Sequence, residues 1–248
     1  MKKNIFQLSM VFLFVLSLFS CEDVLNKKNL ENLVEDDLWV EPVLLKGFMD
    51  NIMKDNLPGP ERSISITDEG YGQYSLDLPY DILNINTGPS EIEKWFYSGI
   101  RNINMFLDNI DKCPETKLSN AEKNDYIAQM KVLRAYKYFQ MVRVYGGVPL
   151  LLHAQSIEDD LYVYRAKTSE CIRQIIQDLD DAIAMGDDFP MKRADADGGR
   201  INRAAALAIK GRVLLYYASP QFTKQTPAGT KDVNTRWSEA YAAHKAAI

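Results

Sequence analysis

Residues 119–145 constrain this chain more than any other feature, because apolar side chains recur there at steps of three and four on two faces at once. Ala128, Val132, Ala135, Phe139 and Val142 make one face; Met130, Leu133, Tyr136 and Tyr138 make the second. That period is helical, and a helix apolar on two sides is packed between neighbours instead of lying on a surface. Ser119 with Glu122 three residues on gives a capping-box start. Gly146-Gly147 offers a left-handed C-cap, and Pro149 blocks continuation.

Such a helix needs partners, and the same period supplies them. Pro42 opens a helix with Leu44, Leu45, Phe48 and Ile52 on one face, ended by Leu57-Pro58-Gly59-Pro60. Residues 91–111 carry Ile92, Trp95, Phe96, Ile100, Ile103, Leu107 and Ile110 in one stripe, which places Trp95 in the core. Residues 168–185, capped by Thr168 or Ser169, carry Ile172, Ile175, Ile176, Leu179, Ala182 and Ile183. Residues 202–218 show Ala204, Leu207, Ala208, Gly211, Leu215 and Ala218, a face small enough for close helix approach. Met130-Lys131 and Ile209-Lys210 take similar places in the second helix of two successive pairs, and a third pair begins at Trp237. The expected fold is all-α: tetratricopeptide-like helix pairs with long loop insertions. The last stripe reaches Ile248 without a Gly, Asn or Pro to end it, so the sequence is expected to be the N-terminal part of a longer polypeptide.

The start of the chain has a different character. Lys2 and Lys3 precede an apolar run over residues 5–19, shorter than the roughly 20 residues a spanning helix needs, which reads as a signal peptide. It stops at Leu18-Phe19-Ser20-Cys21, similar to the lipobox of bacterial lipoproteins, with Phe19 bulkier than is usual there. Cys21 is the expected lipidation site, since two or three acyl chains anchor stably where one is marginal. Expected boundaries are a signal peptide over 1–20, a tether over 21–35 and a helical binding domain over 36–248.

Charge and chemistry exclude several classes. The 34 acidic residues outnumber 29 Lys and Arg for a net charge of -5, and no basic run appears, which argues against nucleic acid and against anionic lipid as partners. Two histidines, His153 and His244, and three cysteines without metal-ligand spacing give no metal site. No Ser-His-Asp or Cys-His set is available. The acidic pairs Asp36-Asp37, Asp180-Asp181 and Asp187-Asp188, and the run Glu158-Asp159-Asp160, are neighbours whose side chains diverge. A glycosidase needs two carboxylates across a substrate, so these read as solvated surface. Asp195-Ala196-Asp197-Gly198 lacks the rest of a calcium loop and reads as a polar turn. Cys113 and Cys171 read as packed thiols, or as a disulfide in an oxidising compartment. No cofactor and no enzymatic activity are expected.

Residues 57–90 break the helical period with prolines and glycines, and a loop this long inside a domain is often functional. Tyr71, Tyr74 and Tyr80 lie there among Asp68, Glu69, Gln73 and Asp77. Sugars present C–H faces that stack on aromatic rings and hydroxyls that bond carboxylates and amides. Tyr71, Tyr74, Tyr80 and Asp68 are therefore the expected ligand contacts.

Met130-Lys131-Val132-Leu133-Arg134-Ala135-Tyr136-Lys137-Tyr138-Phe139, followed by Val142-Arg143-Val144-Tyr145-Gly146-Gly147-Val148-Pro149-Leu150, resembles the signature of the SusD/RagB family. Gly199-Arg200-Ile201-Asn202-Arg203, Lys210-Gly211-Arg212-Val213-Leu214-Leu215-Tyr216 and Ser219-Pro220-Gln221-Phe222 are similar to that family's next helix and the residues after it. The resemblance implies an outer-membrane lipoprotein of Bacteroidetes, anchored by lipid and facing the cell exterior. It implies a receptor that captures an oligosaccharide, or a peptide as in RagB-like members, and passes it to a SusC-like TonB-dependent transporter. Glu22-Asp23 after Cys21 is similar to surface-export signals of such lipoproteins. A lipoprotein glycoside hydrolase and an assembly scaffold are the alternatives. Arg134, Tyr136 and Arg143 sit on a packed helix and read as structural.

Overall fold

A computed structural model describes residues 35–58, 95–156, 158–223 and 233–247. Within Met1–Leu38 that leaves only the start of one helix; the rest belongs to Trp39–Ile248. Among the described residues all regular structure is helical. The helices are α1 (Glu35–Val40), α2 (Pro42–Asn56), α3 (Tyr97–Asn109), α4 (Asn120–Tyr145), α5 (Thr168–Ala184), α6 (Arg203–Ala218), the short α7 (Pro220–Thr223) and α8 (Val233–Ala246).

α4 is the central beam: 26 residues, about 39 Å at 1.5 Å per residue. Its start is the expected capping box. Ser119 Oγ accepts from Glu122 N at 3.3 Å, and the Glu122 carboxylate accepts from Ser119 N at 3.0 Å. The Ser119 hydroxyl, donating to the same carboxylate at 2.7 Å, and then the Ser119 N–H hold the Glu122 carboxyl below its usual value. Both apolar faces are used. Ala128, Val132, Ala135, Phe139 and Val142 are buried, as are Met130, Leu133 and Tyr138.

α4 makes its most extensive contacts with α5, and α6 with α8, while α5 also packs on α6. α3 lies on α4, and α2 on both α3 and α4. The helix pairs are therefore offset by one element from the expected pairing of 91–111 with 119–145. A helix apolar on two faces serves neighbours on both sides, and periodicity cannot rank them. The adjacent carboxylates of α5 reach opposite ways: Asp181 pairs with Lys131 on α4 and Asp180 with Lys210 on α6, each at 2.5 Å. They are inter-helix ties, not the bare solvated pair expected.

Three further expectations are corrected. α5 begins after Lys167, whose N–H donates to Glu170 at 2.9 Å, so neither Thr168 nor Ser169 is its cap. The buried face of α6 holds Ala206, Gly211, Val213, Leu214 and Ala218, while Leu215 and Ala208 are exposed. The small-residue argument survives at Gly211, where a Cβ would stand 2.9 Å from the His244 ring of α8. α3 starts at Tyr97, so Trp95 and Phe96 precede it, and Trp95 is 54% exposed instead of buried.

Candidate functional site

Asn104 of α3, Arg134 of α4 and Asp178 of α5 meet in the core, and together they hold the segment that follows α4. Asn104 is 0%, Arg134 6% and Asp178 1% exposed. Arg134 donates through Nε and Nη2 to the two Asp178 carboxylate oxygens at 2.8 and 2.7 Å. Its Nη1 donates to Asn104 Oδ1 at 2.9 Å and to the Leu152 carbonyl at 3.1 Å. Burial pulls the Arg134 guanidinium down, but the Asp178 carboxylate outweighs it and keeps the proton on. Asn104 Nδ2 donates to the carbonyls of Leu151 and His153 at 2.8 and 3.2 Å. The Tyr138 hydroxyl bonds both Leu151 backbone groups, at 2.9 Å to O and 2.7 Å from N.

The glycine pair makes this course possible. Gly146 has φ +72°, a backbone that L side chains rarely adopt. Gly147 has no room for a Cβ, which would lie 2.0 Å from the Ala166 carbonyl oxygen. Arg165 clamps the same corner, donating to Gly147 O at 2.7 Å and Tyr145 O at 2.5 Å. Cys171 packs beneath, its Sγ 3.5 Å from both N and O of Val148. Cys113 and Cys171 are free and buried, which answers the open choice between thiol and disulfide.

Between α3 and this tethered segment lies a cleft of about 280 Å³, lined among others by Tyr97, Arg101 and Asn104 from α3 and Leu151, His153 and Gln155 opposite. The Tyr97 hydroxyl donates to Pro149 O at 2.7 Å, and burial, with Tyr138 nearby, raises its phenol above the usual value. Asp108 fixes the far wall: it takes His153 Nδ1 at 2.9 Å and the Ala154 N–H at 2.8 Å. Trp95 leans edge-on against Tyr97, with ring centroids 4.9 Å apart, and against Tyr145 at 5.3 Å. A braced, half-exposed indole beside an amphipathic cleft can stack on the apolar face of a ring-shaped ligand, with Arg101, Gln155 and His153 available to its hydroxyls.

The sequence-derived contacts Tyr71, Tyr74, Tyr80 and Asp68 lie outside the described residues, as does Cys21. The cleft residues were missed. The signal was Trp95-Phe96-Tyr97: consecutive helical positions point about 100° apart, so three adjacent aromatics cannot all face one core.

A family model, SusD-like, described as starch-binding and associating with the outer membrane, matches residues 69–215, more than half of the chain. The SusD-like protein P25 of Formosa agariphila is 26% identical over 156 residues, 62% of this chain and 28% of that protein. Among solved structures, a SusD-like protein from Bacteroides fragilis superposes with a TM-score of 0.60 at 23% identity, over 88% of this chain and 41% of the other. A laminarin-binding SusD-like protein gives 0.57 at 23% identity, over 79% and 46%. The chain thus spans a little over a quarter of that curated relative and under half of each of these structures, which share its fold.

Proposed function

The chain belongs to the SusD-like family, and from that premise we propose that it is a cell-surface glycan receptor, binding an oligosaccharide without cleaving it and passing it to a SusC-like TonB-dependent transporter. The observation that carries this reading is Trp95, held half-exposed by two aromatic rings beside the cleft. Leaving an indole in water forgoes roughly 1.5–3 kcal/mol of burial, which a sugar face recovers. The cleft's hydrogen-bonding groups sit on a rigid floor, since Arg134 holds Asn104 and the Leu152 carbonyl, Tyr138 holds the Leu151 carbonyl and Asn104 holds the His153 carbonyl. Binding there needs little ordering of the protein. Tyr71, Tyr74, Tyr80 and Asp68 are proposed to add contacts from the segment that leads into Trp95. Lipid on Cys21 is proposed to keep the receptor at the outer membrane.

Isothermal titration of the purified protein with laminarin and with soluble starch tests this. Binding of either without new reducing ends is expected, and Trp95→Ala should weaken it about tenfold, or 1.4 kcal/mol. New reducing ends would make the protein a hydrolase, and binding of peptides in place of glycans would make it a RagB-like receptor.

A further inference from the structure

Beyond the cleft wall the chain displays apolar side chains to solvent. Tyr162 is 90% and Tyr164 92% exposed, with Leu161 before them and Val163 between them also on the surface. Such a run of exposed apolar residues is avoided unless the surface is used. The backbone under it is bonded within itself and tied to the body at one end. Ser156 N donates to Asp159 at 2.7 Å and Tyr162 N to Asp160 at 2.9 Å. Val163 N closes a tight turn onto Leu161 O at 3.1 Å. At the far end Arg165 holds Gly147 and Tyr145, and Ala166 N donates to Val148 O at 3.1 Å. Among the described residues neither tyrosine hydroxyl has a partner.

We infer that Tyr162 and Tyr164 form a second glycan contact, separate from the Trp95 cleft, for a neutral polysaccharide chain; the inference rests on the receptor reading above. Two exposed ring faces two residues apart suit the C–H faces of sugars, and the exposed Glu158 and Asp160 beside them accept sugar hydroxyls. The run Glu158-Asp159-Asp160 repels sulfated or uronate polymers and anionic membrane surfaces, and Arg165, the cation next to Tyr164, is engaged with backbone carbonyls. A stable protein partner needs about 800 Å² and some 20 residues a side, far more than a four-residue strip bounded by charges. Two weak contacts on one polymer raise its affinity, because the second binds at high effective concentration.

The test compares wild type, Trp95→Ala and the double variant Tyr162→Ala/Tyr164→Ala, each against laminarin, soluble starch and short oligosaccharides cut from them. The tyrosine variant should bind the preferred polymer about tenfold more weakly and the short oligosaccharides unchanged, while Trp95→Ala weakens both. Tyr162→Phe/Tyr164→Phe, which keeps the rings, should restore most of the polymer affinity. Polymer binding equal to wild type in the tyrosine variant, with Trp95→Ala still weak, overturns the second contact and leaves the receptor reading standing. Loss of short-oligosaccharide binding in the tyrosine variant overturns its separateness. Wild-type protein that binds neither polymer overturns both readings.

Discussion

Arg134 takes a charge that water would solvate well into a site 6% exposed, and only Asp178 makes that tolerable. Asp178→Ala leaves the guanidinium buried without its counter-charge, and urea unfolding should show a loss of about 3–5 kcal/mol. Replacing both partners, Arg134→Met with Asp178→Leu, should cost far less, because desolvation disappears with the charges. Gly147 sets a second residue-level constraint. Gly147→Ala drives a Cβ into the Ala166 carbonyl and should cost about 1–3 kcal/mol in the same assay. Gly47→Ala, on α2 with nothing within 4 Å of the new methyl, should be neutral or stabilising by about 0.5–1 kcal/mol. The structural role of Arg134 was legible from its place on a two-faced helix. Its partner was not: Asp178 stands 44 residues away among acids that look solvated, and sequence carries no signal that the chain folds them together.

At the scale of elements, the ties between helices are electrostatic as well as apolar. Burial raises the Asp181 carboxyl, but hydrogen bonds from Lys131 and Gln177, with the Lys131 charge, outweigh it and hold it below the usual carboxylate value. A group lowered in the folded state binds its proton more readily when unfolded. The α4–α5 tie therefore contributes fully above the unfolded value, about 3.9, and is lost as pH falls through the lower folded one. The urea midpoint should drop on acidification from about pH 5 to about pH 3, and Lys131→Met should flatten part of that drop. A Lys131→Met profile parallel to wild type would show that Asp181 contributes nothing. Element positions were legible: α2, α4 and α5 begin and end within about two residues of the sequence reading, because caps and breakers act locally. The face α6 buries was not legible, since so many of its residues are small and apolar that no single stripe stands out.

The whole-molecule prediction concerns where the chain sits. Cys21→Ala removes the thiol that would carry the lipid, and the variant should move from the membrane pellet to the soluble fraction of fractionated cells. A variant still in the pellet would show that something other than this thioether holds the protein. Among the described residues no helix is long and apolar enough to cross a membrane. Trp95 shows why the candidate site escaped the sequence. By period alone it joins the stripe of α3, but the helix begins two residues later, and the indole turns out against Tyr97 and Tyr145.

The order of residues by itself determined that this chain is helical, where most helices cap and break, and that its long signature is packed structure. Those properties depend on neighbours within a turn or two, which any window of sequence contains. Only the tertiary structure decided which helices pair, that Asn104, Arg134 and Asp178 meet, and that the tethered segment beyond Gly147 opens a cleft beside Trp95. Those outcomes depend on contacts between residues tens of positions apart, chosen by how whole faces fit and how each buried charge finds its partner.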